Sequence, residues 1–197
     1  KDGIDFSLED DYYGDTRFHI PFIAWYQVMN ASLALTTMEV LKDRIPVTME
    51  QLQAGIANTR WQGRMETILP GVIVDGAHNE DGVRRFVETA ERFQKEYPLT
   101  LLFSAVNDKD YQDMIHTICS RIKFRKVVTT EVGGYREVPS AELAEIFCKE
   151  GCKDIGNSDN IEEAFHMAHE AKGEDGMLFC VGSLYLVGEI KTLLLKK

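Results

Sequence analysis

Apolar and polar positions follow two different rhythms in the two parts of this chain. Residues 1 to 20 alternate loosely and carry several aromatics, which predicts strand or hairpin. From Trp25 to Leu41, WYQVMNASLALTTMEVL sets Val28, Leu33, Leu35, Met38 and Leu41 at helical spacing and predicts a buried helix. In the stretch that follows, Thr48 stands three residues ahead of Gln51, a capping-box pairing that opens a second helix running to Ala57. Past residue 62, short apolar runs alternate with helical periodicity. VIVD (72–75), LTLLFSAV (99–106), KVVTT (126–130) and GMLFCVG (176–182) read as buried strands, and KDIGN (153–157) as a weaker one. Between them, four sets recur at helical spacing: Val83, Phe86, Val87, Ala90 and Phe93; Met114, Ile115 and Ile118; Leu143, Ile146 and Phe147; Ile161, Ala164, Phe165 and Ala168.

Strands alternating with helices predict an α/β fold: a Rossmann-like, mostly parallel sheet flanked by helices on both faces. RMETIL (64–69), with Pro70-Gly71 as the turn, is expected to pair antiparallel with 72–75 as an edge strand. The candidate hinge lies near Asn58 to Gln62, and the domains expected are 1–58 and 59–197. The closing stretch GSLYLVGEIKTLLLKK is amphipathic and ends in Lys196 and Lys197, favourable charges at a helix C-terminus.

Composition narrows the picture. The chain has 197 residues, 44% hydrophobic and 27% charged, as in a soluble globular protein. Its 32 Asp and Glu against 22 Lys and Arg leave a net charge of -10, so no general attraction to nucleic acid or an anionic membrane is expected. An anionic ligand must then be held by local cations. No apolar run approaches the roughly 18 residues of a membrane span, and no targeting pattern opens the chain, which points to the cytoplasm. Cys119, Cys148, Cys152 and Cys180 show no framework spacing and read as free thiols of a reducing compartment. A zinc site from Cys148, Cys152, His166 and His169 is disfavoured because no close cysteine pair has a usual zinc spacing. The start at Lys1, without methionine and inside the acidic stretch KDGIDFSLEDDYYGD, looks like the middle of a longer protein.

Candidate chemistry gathers where a predicted strand ends in Asp75, Gly76, Ala77, His78 and Asn79. In an open parallel sheet, ligands collect at the C-terminal strand ends, where helix N-termini offer unpaired N–H groups. Gly76 and Ala77 leave room beside the backbone, Asn79 can cap the next helix, Asp75 offers a carboxylate and His78 an imidazole. Arg64 brings a guanidinium fork suited to phosphate oxygens. Against this, an Asp after a strand is often only a cap, and Glu80 and Asp81 argue against phosphate at that helix start. On the residues alone, the reading stops at a binding site for a nucleotide or an acid.

GRMETILPGVIVDGAHNEDGVRRF resembles the Gly-Arg-Met-Glu and Asp-Gly-Ala-His-Asn signature of the folylpolyglutamate synthase and dihydrofolate synthase family, in the Mur ligase superfamily. YQVMNASLAL, NDKD and GSLYLVGEI resemble the family's Gln-x-x-Asn-Ala helix, its Asp-Lys-Asp and its closing segment, in the same order. The resemblance implies an ATP- and Mg2+-dependent ligase that phosphorylates a folate carboxylate and lets the amino group of L-glutamate attack the acyl phosphate. It implies that Asn30 contacts the adenine, Arg64 the phosphates and Asp75 the ribose, with His78 at the phosphate and glutamate end and Lys109 helping to position glutamate. Small molecules are the partners it implies, with no nucleic acid or membrane and a monomeric full-length enzyme; the oligomeric state of this chain stays open.

The sequence holds no G-x-x-x-x-G-K-[ST], so the resemblance covers the C-terminal domain and the last helices of the central ATPase domain, without its phosphate loop or metal ligands. Gly76 and Glu80 stand where peptidoglycan-precursor relatives usually carry Tyr and Pro, which favours the folate branch. The competing class is a stand-alone, non-catalytic α/β nucleotide-binding module. Asn30 argues against it, because an adenine contact makes sense beside a phosphate loop. An oxidoreductase is weaker still, since no G-x-G-x-x-G follows a strand.

Overall fold

The computed structural model describes residues 3–134 and 136–195, so Lys1 at the start and the C-terminal Lys196 and Lys197 lie outside the described residues. The chain divides into two units, Lys1–Gln62 and Gly63–Lys197.

The first unit opens with β1 (Ile4–Phe6) and β2 (Phe18–Ile20), paired antiparallel with Ile4 opposite Ile20. Helices α1 (Tyr26–Val40) and α2 (Met49–Ala57) follow. The capping box is formed: Gln51 N donates to Thr48 Oγ1 at 3.3 Å and Thr48 N to Gln51 Oε1 at 2.9 Å. This reciprocal bonding satisfies two groups that a helix start otherwise leaves without partners. Tyr13, Phe18, Leu35 and Leu52 make the core, and the Tyr13 hydroxyl donates to Leu35 O at 2.6 Å. The expectation of a buried α1 is corrected. Ala31 and Leu35 are buried, whereas Leu33 is 68% exposed and Met29 and Val40 are also exposed. Apolar residues occur around much of this helix, and within its own unit just one face finds a partner.

The second unit is one six-stranded sheet. Its strands are β3 (Glu66–Leu69), β4 (Val72–Asp75), β5 (Leu99–Phe103), β6 (Phe124–Thr129), β7 (Ile155–Asn157) and β8 (Met177–Val181). The order is β3-β4-β8-β5-β6-β7, with β3 antiparallel to β4 and the other pairs parallel. Helices α3 (Glu80–Phe93), α4 (Tyr111–Arg121), α5 (Ser140–Lys149), α6 (Ile161–Lys172) and α7 (Leu184–Leu195) complete it.

Alternation along the strands assigns the faces. Val72, Val74, Leu178 and Cys180 pack with Ala164, Phe165 and Ala168 of α6 and Leu186, Val187 and Ile190 of α7. Phe179, between Leu178 and Cys180, points the other way and meets Phe86 and Phe93 of α3 edge-on. Phe103 meets Phe147 of α5, and α4 packs between α3 and α5. One layer is therefore α3, α4 and α5, and the other α6 and α7. The apolar run 99–106 outlasts its strand: β5 ends at Phe103, and Val106 forms an isolated bridge to Glu137.

Candidate functional site

The strand order creates a crevice. β4 and β8 are parallel neighbours, yet α3 leaves β4 for one face and α7 leaves β8 for the other. Loops that diverge in this way open a gap at the C-terminal edge, where ligands of open α/β sheets bind. Asp75–Asn79 lies on one side of that gap and Gly182-Ser183 on the other.

Asp75 organises its side. Its Oδ2 accepts from Met65 N at 2.9 Å and its Oδ1 from Ala77 N at 2.8 Å, and the residue is 2% exposed. The carboxylate thus clamps the Gly63-Arg64-Met65 segment to the turn after β4. Gly76 N donates to Gly63 O at 2.8 Å and closes the same clamp. Gly63 and Met65 both have positive φ, 69° and 45°. For the methionine that conformation costs about 1 kcal/mol, which the bond to Asp75 and the burial of its side chain offset. The reading of Asp75 as a ribose acceptor therefore meets a carboxylate with both oxygens already engaged.

Burial pushes the Asp75 carboxyl up from 3.8 to about 6, against the lowering effect of the two backbone donors and of the nearby Arg64 and His78 charges. A folded-state pKa above the unfolded value means that this group's stabilising contribution is complete below pH 3.8 and is lost as pH rises through 6. Compared with Asp75→Asn, which does not titrate, the wild type is expected to lose about 3 kcal/mol of relative stability between pH 3.5 and 7. Urea denaturation at both pH values measures this, and a constant difference between the two proteins would refute it.

Arg64 is half-buried beside Asp75, and its guanidinium has no hydrogen-bond or ion-pair partner among the described residues. His78 is half-buried, with Nδ1 2.7 Å from Gly76 O. A carbonyl can only accept, so Nδ1 carries the proton and Nε2 is the nitrogen left for a ligand. Asn79 caps α3 through Gly82 N at 2.8 Å, while Glu80 in its first turn pairs with Arg84. Lys109 lies in the loop after β5, at the same sheet edge, and its ammonium has no partner among the described residues. The acidic neighbours are occupied elsewhere: Asp108 pairs with Arg136 at 3.0 Å and Asp110 caps α4. The second unit thus brings Arg64, Asp75 and His78 together and sets Lys109 on the same edge. Asn30 belongs to the first unit, on α1, where its Nδ2 donates to Gln27 Oε1 at 2.9 Å.

The profile of the family described as Mur ligase, glutamate ligase domain, matches residues 63–184, from the Gly63 turn to the start of α7. The chain belongs to this family. It is 30% identical over 194 residues to the dihydrofolate synthase/folylpolyglutamate synthase of Bacillus subtilis, covering 94% of this chain and 43% of that protein. It is similar to the Mycobacterium tuberculosis folylpolyglutamate synthase solved with ADP and AMPPCP, with TM-score 0.76, 25% identity, and coverage of 90% of this chain and 42% of that one. The Yersinia pestis bifunctional folylpolyglutamate synthase/dihydrofolate synthase shares the fold, with TM-score 0.76, 19% identity, and coverage of 92% and 42%. The chain therefore spans less than half the length of these relatives.

Three residues of this Mur ligase domain escaped sequence reasoning. Glu66 accepts from Gly63 N at 2.7 Å and pairs with Lys191 at 2.8 Å, which ties the Gly63 turn to α7. Ser183 is buried, and its Oγ accepts from Tyr185 N at 3.1 Å; a serine just ahead of an amphipathic run is a capping signal that could have revealed it. Arg136 also meets the Tyr185 hydroxyl at 3.2 Å, joining the loops after β5 and β6 to the first turn of α7. No local pattern announces Arg136, since its partners lie 28 and 49 residues away. Cys152 sits 3.7 Å from Cys119, His169 lies over Phe165, and Cys148 is exposed. Among the described residues, no group of three or more His, Cys, Asp or Glu could hold a metal ion, and no helix is long and apolar enough to cross a membrane.

Proposed function

We propose that this chain is the C-terminal portion of an ATP-dependent ligase that adds L-glutamate to a folate carboxylate. What supports the reading is the clamp of Gly63 and Met65 onto Asp75 and Gly76, which presents Arg64 and His78 at the crevice inside the matched family segment. The Bacillus subtilis relative is a dihydrofolate synthase/folylpolyglutamate synthase, and the Mycobacterium tuberculosis relative was solved with ADP and AMPPCP.

On this reading, residues 1–58 are the end of the central ATPase domain and 59–197 the glutamate-ligase domain. Asn30 meets the adenine and Arg64 grips phosphate oxygens as a fork. Asp75, in addition to its clamp, lies at the ribose. A folate carboxylate oxygen takes the γ-phosphoryl group of ATP and ADP departs. The amino group of L-glutamate then attacks the acyl carbon, an amide forms and phosphate leaves with the C–O bond electrons. Lys109 holds a glutamate carboxylate, and His78 presents Nε2 to the phosphate or to the attacking amine. Mg2+ would shield phosphate charge in such a reaction. Among the described residues, no group of three or more His, Cys, Asp or Glu could hold it. The full-length protein acts in the cytoplasm as a monomer on these small molecules.

The test is phosphate release by the full-length protein with ATP, tetrahydrofolate and L-glutamate, each omitted in turn, with the chain 1–197 as a control expected to be inactive. Release that needs all three substrates supports the reading; release independent of folate overturns it. In the same assay Arg64→Lys is expected to lower kcat/KM for ATP by about tenfold, because a point ammonium cannot reproduce a two-pronged grip. Unchanged constants would make Arg64 a surface residue.

A further inference from the structure

At the opposite edge of the sheet, away from the crevice, two thiols meet. Cys119 lies in the last turn of α4, and Cys152 in the turn between α5 and β7. They are 33 residues apart in sequence, and their sulfurs are 3.7 Å apart in space. Both are half-buried, which leaves them within reach of a small reagent. Cys148 is exposed, and Cys180 is wholly buried in β8.

The surroundings hold the pair in place. Cys152 N donates to Phe147 O at 3.1 Å, in a turn made possible by Gly151 at φ +94°. One residue before that glycine, Glu150 reaches His116 in the middle of α4 at 2.9 Å, so α4 and the end of α5 are already joined by a polar contact. To bond, the sulfurs have to close from 3.7 Å to the ~2.05 Å of a disulfide.

We propose that Cys119 and Cys152 form a reversible intramolecular disulfide when the protein meets a low-molecular-weight disulfide such as oxidised glutathione. Either sulfur can donate the hydrogen bond the two share; with Cys119 as the donor the Cys152 thiolate is favoured, while Glu150 opposes ionisation of both. The Cys152 thiolate attacks the small disulfide, forming a mixed disulfide and expelling one small thiolate. Cys119 then loses its proton, and its sulfur displaces the second small thiolate from Cys152. Two protein thiols are oxidised, one small disulfide is reduced to two thiols, and no other reactant is consumed. The bond lies far from Arg64, Asp75 and His78 and is independent of what the crevice binds.

The experiment takes the fully reduced chain, adds excess oxidised glutathione, alkylates what remains and maps the peptides by mass spectrometry. The expected product has lost about 2 Da for the two hydrogens removed. It carries a single Cys119–Cys152 cross-link and returns to the reduced form with dithiothreitol. Cys148→Ser is expected to leave this unchanged. Cys119→Ser is expected to stop at a glutathione adduct on Cys152. The wild-type map decides the matter without any variant. Mixed disulfides alone, a bond through Cys148, or linked dimers in place of the internal bond would each overturn the proposal.

Discussion

On the proposed function, replacing His78 by alanine in the full-length protein is expected to lower kcat by about 100-fold, close to 2.7 kcal/mol of barrier, while the Kd for ATP stays within about twofold. Nδ1 of the ring is bonded to Gly76 O, and Nε2 is the nitrogen that remains for chemistry. His78→Asn separates the two roles. Its amide N–H can donate to Gly76 O but nothing replaces Nε2, so stability should be kept and turnover lost. Asp75→Ala should behave in the opposite way. It removes the acceptor of two backbone donors, Met65 N and Ala77 N, and loosens the segment that carries Arg64. A rise in the ATP Kd of about tenfold is expected, together with a lower Tm. Isothermal titration with a non-hydrolysable ATP analogue and steady-state kinetics distinguish the two. If His78→Ala loses nucleotide while keeping kcat, the ends of the crevice have been assigned the wrong way round.

Gly182→Ala is expected to cost roughly 3 kcal/mol or more, lowering the Tm of the second unit by about 10 °C. Gly182 has φ +110°, and a Cβ there would stand 2.1 Å from the Ser104 carbonyl oxygen and 2.8 Å from the Phe103 ring. That oxygen is backbone and cannot swing aside, because Ser104 N is itself bonded to Val181 O at 3.3 Å across the β5–β8 pairing. The glycine lets β8 lie close to β5 before the chain turns into α7, and the crevice opens at that turn. Gly151→Ala is the control. Its φ is +94° with nothing within 4 Å of the added carbon, so it should show the conformational cost alone, about 1 kcal/mol. Equal losses at the two glycines would mean that the contact with Ser104 is not what constrains Gly182.

Much of the local structure was legible because it depends on neighbours in sequence. The Thr48 capping box, the antiparallel turn at Pro70-Gly71 and the strands at 72–75 and 177–181 follow from spacing and turn chemistry acting over a few residues. The burial of α1 was not legible. Leu33 and Leu35 look alike to periodicity, and only the packing of α1 in its unit buries one and leaves the other exposed.

The sequence by itself determined the element types, the change of rhythm that separates the two parts, and the motif residues that make a crevice plausible. Tertiary structure decided that β8, the last strand in the chain, inserts between β4 and β5. From that one placement follow the divergence of α3 and α7 and the placing of Asp75 opposite Val181, where the two strands part. Side-chain partners were decided there too: the two oxygens of Asp75 spent on Met65 and Ala77, and Cys119 beside Cys152. The physical reason is range. Periodicity and capping are satisfied within a few residues, whereas strand order and the partners of a buried carboxylate or thiol are settled by burial of surfaces contributed by segments tens of residues apart.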